Sequence, residues 1–283
     1  MTTTHRMRTV RLPAGDSVPA LGMGTWHMAE DPLLRDAERT ALRVGLDLGM
    51  TLIDTAEMYA DGAAEELVGE AIEGRRDEVF LVSKVVPSHA TFGGTVQACE
   101  ASLRRLRADH LDLYLLHWRG RVPLAETVRA FGELVATGRI RHWGVSNFDV
   151  ADLEELVGVP GGAAVQTDQV LYNLMRRGPE YDLLPWCEER GIPVMAYSPV
   201  EQGLLLGHPA VRGVAERHGV SAAQVALAWV LRRDQVNAIP KAGTPKHVYE
   251  DRAALDIQLT PADLRELDLA FPPPGRKVPL EMH

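Results

Sequence analysis

Asp54 stands where the apolar run Thr51-Leu52-Ile53 stops, and Tyr59 follows five residues later in the stretch TLIDTAEMY. Lys84 closes a second apolar run, Val79-Phe80-Leu81-Val82, and His117 a third, LDLYLL. A carboxylate, an amine, a phenol and an imidazole at the ends of core strands make a set suited to proton transfer. An ammonium within about 4–6 Å of a phenol favours the ionised phenol and draws its pKa down from about 10. A phenol poised nearer neutral pH can hand its proton to a carbonyl oxygen as that oxygen gains charge. His117 is then placed to orient or polarise the same oxygen. Taken alone, Asp54 with Lys84 also reads as a plain ion pair that makes a buried lysine tolerable, and a single strand-end histidine as a structural one. Tyr59 close behind the pair, and Trp118 after His117, tip the reading towards chemistry.

These residues act together only if the fold gathers the ends of distant strands. Eight short apolar segments recur, each followed by a polar or glycine-containing turn and an amphipathic stretch. They are LGMGTW (21–26), TLID (51–54), EVFLVSK (78–84), LDLYLLH (111–117), IRHWGVS (140–146), AAVQTDQ (163–169), IPVMAYS (192–198) and QVNAIPK (235–241). Such strands alternating with helices predict a parallel sheet covered on its outside. Eight of them predict an α/β chain closed as a (β/α)8 TIM barrel. A doubly wound sheet is the rival, but Gly22-Met23-Gly24 leads into Thr25, Trp26 and His27 with no third glycine for a phosphate loop. Asp31-Pro32 predicts a helix start, Gly219 a helix end before one opening at Ser221, and Thr260-Pro261-Ala262-Asp263 a capping box. TVRLPAGDSVPAL (9–21) reads as a β-hairpin plugging one end. The carboxyl ends of barrel strands share one face, where barrel chemistry sits. The residues expected there are Trp26, Asp54, Lys84, His117, Ser146, Asn147, Gln169, Tyr197 and Lys241.

At 283 residues and 46% hydrophobic the chain can bury one large core, and α/β barrels of about 250 residues fold as a unit. One domain, 1–283, is expected. The net charge of −9 argues against nucleic acid or an anionic membrane as partner. Cys99 and Cys187 have no metal or redox spacing and fit a reducing compartment, although one bridge between them stays open. The N-terminal MTTTHRMRTVRLPAGDS lacks the apolar segment of a leader, and no run reaches the ~18 apolar residues that span a bilayer. The expectation is a cytoplasmic protein, monomeric by default. The ten histidines lack the local pairing of zinc hydrolases, so no metal site is expected.

DTAEMYADGAAEELVG, LVSK, LYLLHW, GVSNF, AYSP and IPK, in this order and over essentially the whole chain, closely resemble the aldo-keto reductase family. The resemblance implies a (β/α)8 barrel that binds NADP(H) in extended form and reduces a small-molecule carbonyl, an aldehyde or ketone. It makes Tyr59 the general acid, Lys84 and Asp54 its tuning pair, and His117 the group that orients substrate beside Trp26 and Trp118. Ser146, Asn147 and Gln169 would hold the nicotinamide carboxamide, and Tyr197 would stack on the ring. Lys241 would face the pyrophosphate and the 2′-phosphate. Gly24, Thr25, Trp26, Asp54, Ser198, Pro199, Leu204, His247, Glu250 and Asp251 complete the implied cofactor site.

The chain departs from the family pattern after that lysine. The best-known members continue with a serine, an arginine some six residues on, and Glu-Asn; KAGTPKHVYED has Ala242, His247, Glu250 and Asp251. Two donors to the 2′-phosphate are lost and Asp251 adds a negative charge, with Lys246 as a compensating cation. NADP(H) is the expected cofactor and NAD(H) the alternative. SPVEQGLLLGH is shorter than the loop that closes over the cofactor in many relatives, which implies easier exchange. Trp26, Met58, Trp118 and the loop VVPSHATF (85–92) are expected at the pocket mouth, with the tail PPPGRKVPLEMH either closing one side or hanging free. MTLIDTAEMYADG and YDLLPWCEERG resemble a bacterial subgroup acting on 2-oxoaldehydes such as methylglyoxal. Two other readings stand beside this one: a Schiff-base aldolase using Lys84, and a non-catalytic, cofactor-binding redox sensor.

Overall fold

The computed structural model describes residues 7–283; residues 1–6, the start of the segment read as lacking a leader, lie outside the described residues. A hairpin comes first, β1 (Thr9–Arg11) and β2 (Ser17–Pro19). Then strands and helices alternate: β3 (Met23–Gly24), α1 (Arg35–Asp47), β4 (Leu52–Asp54), α2 (Ala63–Ala71), β5 (Phe80–Val85), α3 (Phe92–Leu106), β6 (Leu111–Leu116) and α4 (Leu124–Ala136). The second half continues with β7 (Ile140–Ser146), α5 (Val150–Gly158), β8 (Asp168–Leu171), α6 (Leu183–Glu189), β9 (Val194–Tyr197), α7 (Pro209–His218), α8 (Ala222–Leu231) and β10 (Val236–Ala238). The last two helices are α9 (Pro245–Ala253) and α10 (Pro261–Ala270).

Strands β3 to β10 form one parallel sheet in sequence order, and the sheet closes on itself. Leu21 bridges Ala238 in parallel, Gly22 N–H donates to the Ala238 carbonyl at 2.9 Å, and Gly24 N–H to that of Pro240 at 2.9 Å. The seam needs glycine: a Cβ on Gly24 would stand 2.7 Å from the Ile239 carbonyl oxygen. All six residues of β6 are buried, because one face looks into the barrel and the other lies under helices. The hairpin sits at the opposite end from the strand carboxyl termini. Its Ala14 N–H donates to Gln166 just before β8, and Val10, Leu12 and Val18 are buried in the core.

Most predicted boundaries hold. Gly219 ends α7 at φ 66°, and Ser221 and Thr260 head reciprocal capping boxes with Gln224 and Asp263. Three do not. Asp31 caps only a turn, accepting from Leu33 N–H, while α1 begins at Arg35; Leu33, 89% exposed, lies outside the helix. The strand read as 163–169 is shifted, because 162–164 form a 3-10 turn and β8 runs through Leu171. Gln169 is therefore interior to its strand. It still reaches the rim, since it is level with Ser146, the last residue of β7. The last strand stops at Ala238, leaving Lys241 in the turn beyond. Cys99 and Cys187 are both free and buried, which settles the open bridge.

Candidate active site

Register sets the central contact. Asp54 is level with Val82, and Lys84 lies two residues further along β5, on the same face as Val82. Its side chain therefore crosses above the end of β4. Lys84 is completely buried, and its three ammonium hydrogens have three acceptors: Asp54 Oδ2 at 2.7 Å, the Thr55 carbonyl at 2.8 Å and Tyr59 Oη at 3.2 Å. Asp54 Oδ1 accepts from Gln169 Nε2 at 2.7 Å, so both carboxylate oxygens are engaged. Thr25 sits underneath, its N–H and hydroxyl both donating to the Asp54 carbonyl.

Tyr59 opens a 3-10 turn in which Ala60 and Asp61 take φ values of 48° and 51°. Because Lys84 donates to the phenol oxygen, the phenol keeps its own proton for another acceptor. The His117 ring stands edge-on to it, centroids 5.7 Å apart, with Trp118 beyond at 5.0 Å from His117. Burial, and then Lys84, push the His117 imidazole down to about 2, so it is neutral at physiological pH. Its Nδ1 is buried and has no hydrogen-bond partner among the described residues.

Electrostatics correct one expectation. Burial pushes the Tyr59 phenol above the ordinary tyrosine range, and the pull of Lys84 the other way does not prevail. Burial likewise works against the Lys84 ammonium, but Asp54 and Tyr59 outweigh it and hold its pKa above the usual lysine value. Burial raises the Asp54 carboxyl, opposed by Lys84 and Gln169. Tyr59 is thus a protonated phenol at neutral pH, hydrogen-bonded to a cation. That suits donation to an alkoxide-like oxygen, which is a much stronger base than a phenolate.

The group faces a cavity of about 670 Å³. Of the residues singled out in the sequence, Gly24, Trp26, Asp54, Met58, Tyr59, His117, Trp118, Ser146, Asn147, Gln169, Tyr197, Ser198, Pro199, Lys241 and His247 line it. Lys84, Thr25, Leu204, Glu250 and Asp251 do not: Lys84 is fully buried behind Asp54 and Tyr59, Thr25 lies below Asp54, Leu204 points to solvent, and Asp251 is buried within α9. Nothing from the loop 85–92 lines it either, whereas Met282 and His283 do, so the tail closes one side. Val200, Gln202 and Gly203, within the segment read as a short loop over the cofactor, also line it, as do His27 and Ile239, which sequence reasoning did not single out. Only their nearness to the ends of β3 and β10 could have marked these two.

A polar row runs along one wall. Tyr197 Oη donates to Asn147 Oδ1 at 2.9 Å, Asn147 Nδ2 to the His117 carbonyl at 3.0 Å, and Ser146 Oγ to the Gln169 carbonyl at 2.8 Å. Further out, Lys241 Nζ is 4.0 Å from Glu38, and the Thr244 hydroxyl caps the N-terminus of α9, accepting from His247 N–H. The negative charge expected from Asp251 is suppressed, because burial, reinforced by Glu250, pushes its carboxyl up to about 8.

Residues 20–270 match the model of the Aldo/keto reductase family. The chain belongs to that family. It is 54% identical over 275 residues to methylglyoxal reductase YeaE of Escherichia coli K12, across 95% of this chain and 97% of that one. Glyoxal reductase of Bacillus subtilis is 35% identical, across 92% and 91%. An aldo/keto reductase of Klebsiella pneumoniae, crystallised with NADP and acetate, superposes with a TM-score of 0.96 at 52% identity, covering 98% of this chain and 100% of that one. The eight parallel strands with their surrounding helices and the N-terminal hairpin match the (β/α)8 fold of that family.

Proposed function

We propose that the chain is a single-domain, NADPH-dependent carbonyl reductase that takes small aldehydes or ketones, 2-oxoaldehydes such as methylglyoxal foremost. The observation that carries this reading is the fixed direction of the Tyr59 proton. Lys84 occupies the phenol oxygen from behind, so the hydroxyl hydrogen is left for a group in the cavity. Neutral His117 stands beside it as a second hydrogen-bonding group that does not compete as an acid. A carbonyl oxygen held between these two rings meets a proton donor and an orienting donor at once. Asp54 keeps Lys84 charged and in place.

The donor set fits a nicotinamide dinucleotide. Ser146, Asn147 and Gln169 present a hydroxyl and two amides beside the Tyr197 ring, matching a carboxamide, and Lys241 with the start of α9 offers positive charge to phosphates. When bound, the reduced nicotinamide supplies the hydride to the carbonyl carbon. Asp251 is buried within α9 and lines no part of the cavity, so it does not present a carboxylate to a 2′-phosphate, which favours NADP(H) over NAD(H). Trp26, Met58 and Trp118 give apolar walls suited to a small substrate. The Schiff-base alternative is disfavoured, because a fully buried Lys84 with all three hydrogens engaged offers no lone pair. Among the described residues no helix is long and apolar enough to cross a membrane; we place the enzyme in the cytoplasm as a monomer, without nucleic-acid partners.

The test is a carbonyl panel assayed with NADPH and NADH in parallel. Consumption of NADPH with methylglyoxal, at higher kcat/KM than with NADH, is expected. No oxidation of either cofactor with any carbonyl would refute the assignment.

A further inference from the structure

The outer side of the cavity is closed by two segments far apart in sequence, the turn 198–203 and the C-terminal residues Met282 and His283. Behind them, lining no part of the cavity, lies Glu201, a carboxylate left only 1% exposed. Its Oε2 accepts from Asn173 Nδ2 at 2.6 Å and its Oε1 from Arg176 Nε at 2.7 Å. Both partners reach on to the two walls. Asn173 Nδ2 also donates to the Ser198 carbonyl at 2.9 Å, where the turn begins. Arg176 Nη1 donates to Glu281 in the tail at 2.6 Å. His283 Nε2 lies 3.7 Å from Glu201 itself, with its ring 6.0 Å from that of Trp26 and 6.3 Å from that of Tyr197.

The turn has need of such a hold. Ser198, Glu201 and Gln202 take φ values of 47°, 47° and 50°, in the left-handed region that non-glycine residues avoid. A backbone of this kind persists only where its surroundings over-determine it. Leu204 is largely exposed, while Val200 packs against the core on one side of the strained residues and the buried Leu205 anchors the other. Between those anchors the left-handed residues are held by the polar hub, through Glu201 itself and the Ser198 carbonyl.

We propose that Glu201 is a positioning residue that ties the turn 198–203 and the C-terminal segment into one closing unit, so that retention of cofactor and fit of the carbonyl substrate are set together. The inference rests on reading the cavity as a reductase site and adds a coupling between its two walls. Arg176 is the shared strut: loosening either carboxylate it binds loosens both segments. The unit acts on access and release, whereas proton donation stays with Tyr59.

The full chain carrying Glu281→Gln or Glu201→Gln tests this, with NADPH dissociation followed by stopped-flow fluorescence in the absence of substrate and steady-state kinetics with an aldehyde. Glu281 is half exposed at the surface and touches neither the cavity nor the turn, so its variant folds whatever its role. Glu281→Gln should speed NADPH dissociation and raise carbonyl KM together, each by about threefold. The single-turnover rate of hydride transfer should stay unchanged. Glu201→Gln should move the same two quantities further, on the order of tenfold; if it does not fold, Glu281→Gln decides alone. A raised KM with unchanged NADPH dissociation in Glu281→Gln, or no change in either, overturns the coupling, and so does a Glu201→Gln enzyme with wild-type constants. An unaltered chain that oxidises no NADPH with any carbonyl would instead remove the reading on which the inference rests.

Discussion

At the scale of single residues, Lys84 decides the site. A lysine with no exposure would ordinarily surrender its proton. Here Asp54, the Thr55 carbonyl and the Tyr59 oxygen satisfy it, and the ammonium in turn fixes which way the phenol donates. A pH profile follows from the environments of the two rings. Tyr59 must be protonated to act and its pKa is raised, so the reductive rate should hold through neutral pH and fall only above the ordinary tyrosine value of about 10. His117 is neutral down to about 2 and should add no inflection between pH 5 and 8. The logarithm of kcat/KM for reduction against pH checks both; a break near pH 6–7 that vanishes in His117→Gln would contradict the neutral imidazole. Asp251 gives a stability prediction with a definite sign. Its folded pKa of about 8 lies above the unfolded value of 3.8. The folded chain thus holds an extra proton between those values, and the cost to stability grows with rising pH across that window and is constant above it. Asp251→Asn should raise Tm increasingly from pH 4 to 8, as thermal melts over that range would show.

At the scale of elements, what was legible in the sequence was whatever depends on local pattern. The apolar runs before Asp54, Lys84 and His117 marked strand ends correctly, because a strand buried on both faces writes its burial directly into consecutive residues. Capping at Ser221 and Thr260 was legible for the same reason, since a cap is a contact across three residues. The failures are non-local. β8 was read several residues early because Ala163 and Ala164 look apolar but lie in an exposed turn. The Tyr59 pKa was read with the wrong sign because the spacing reveals the neighbouring ammonium but not the burial that overrides it. The loop 85–92 was expected at the mouth and does not line the cavity, while His27 and Ile239, which do, were not singled out; loop direction is set by tertiary packing. The barrel seam carries its own prediction. A Cβ at Gly24 would press on the Ile239 carbonyl at 2.7 Å, a backbone atom that no rotamer change can move away. Gly24→Ala should destabilise the fold by about 1–3 kcal/mol, measurable as a lower denaturation midpoint. Wild-type stability in that variant would mean that the seam is looser than described.

At the scale of the whole molecule, the barrel separates stability from chemistry. The hairpin and the buried strands hold one end, and the residues that do the proposed work project from the other, from the carboxyl ends of the strands and the turns that follow them. The segment after β9 that borders the cofactor side is short, and few of its side chains are buried. Release of oxidised cofactor should therefore not limit turnover, and 4-deuterated NADPH should give a primary isotope effect on kcat. An effect near unity, together with slow cofactor dissociation, would show a closing loop as slow as a long one.

The central claim is that Tyr59 gives the proton. Tyr59→Phe keeps the ring, its packing against His117 and the ion pair beneath it, and removes only the hydroxyl. NADPH titration of that variant should return the wild-type Kd, while kcat for aldehyde reduction should fall by about 10²-fold or more. Turnover equal to wild type, with NADPH still bound, would contradict the account.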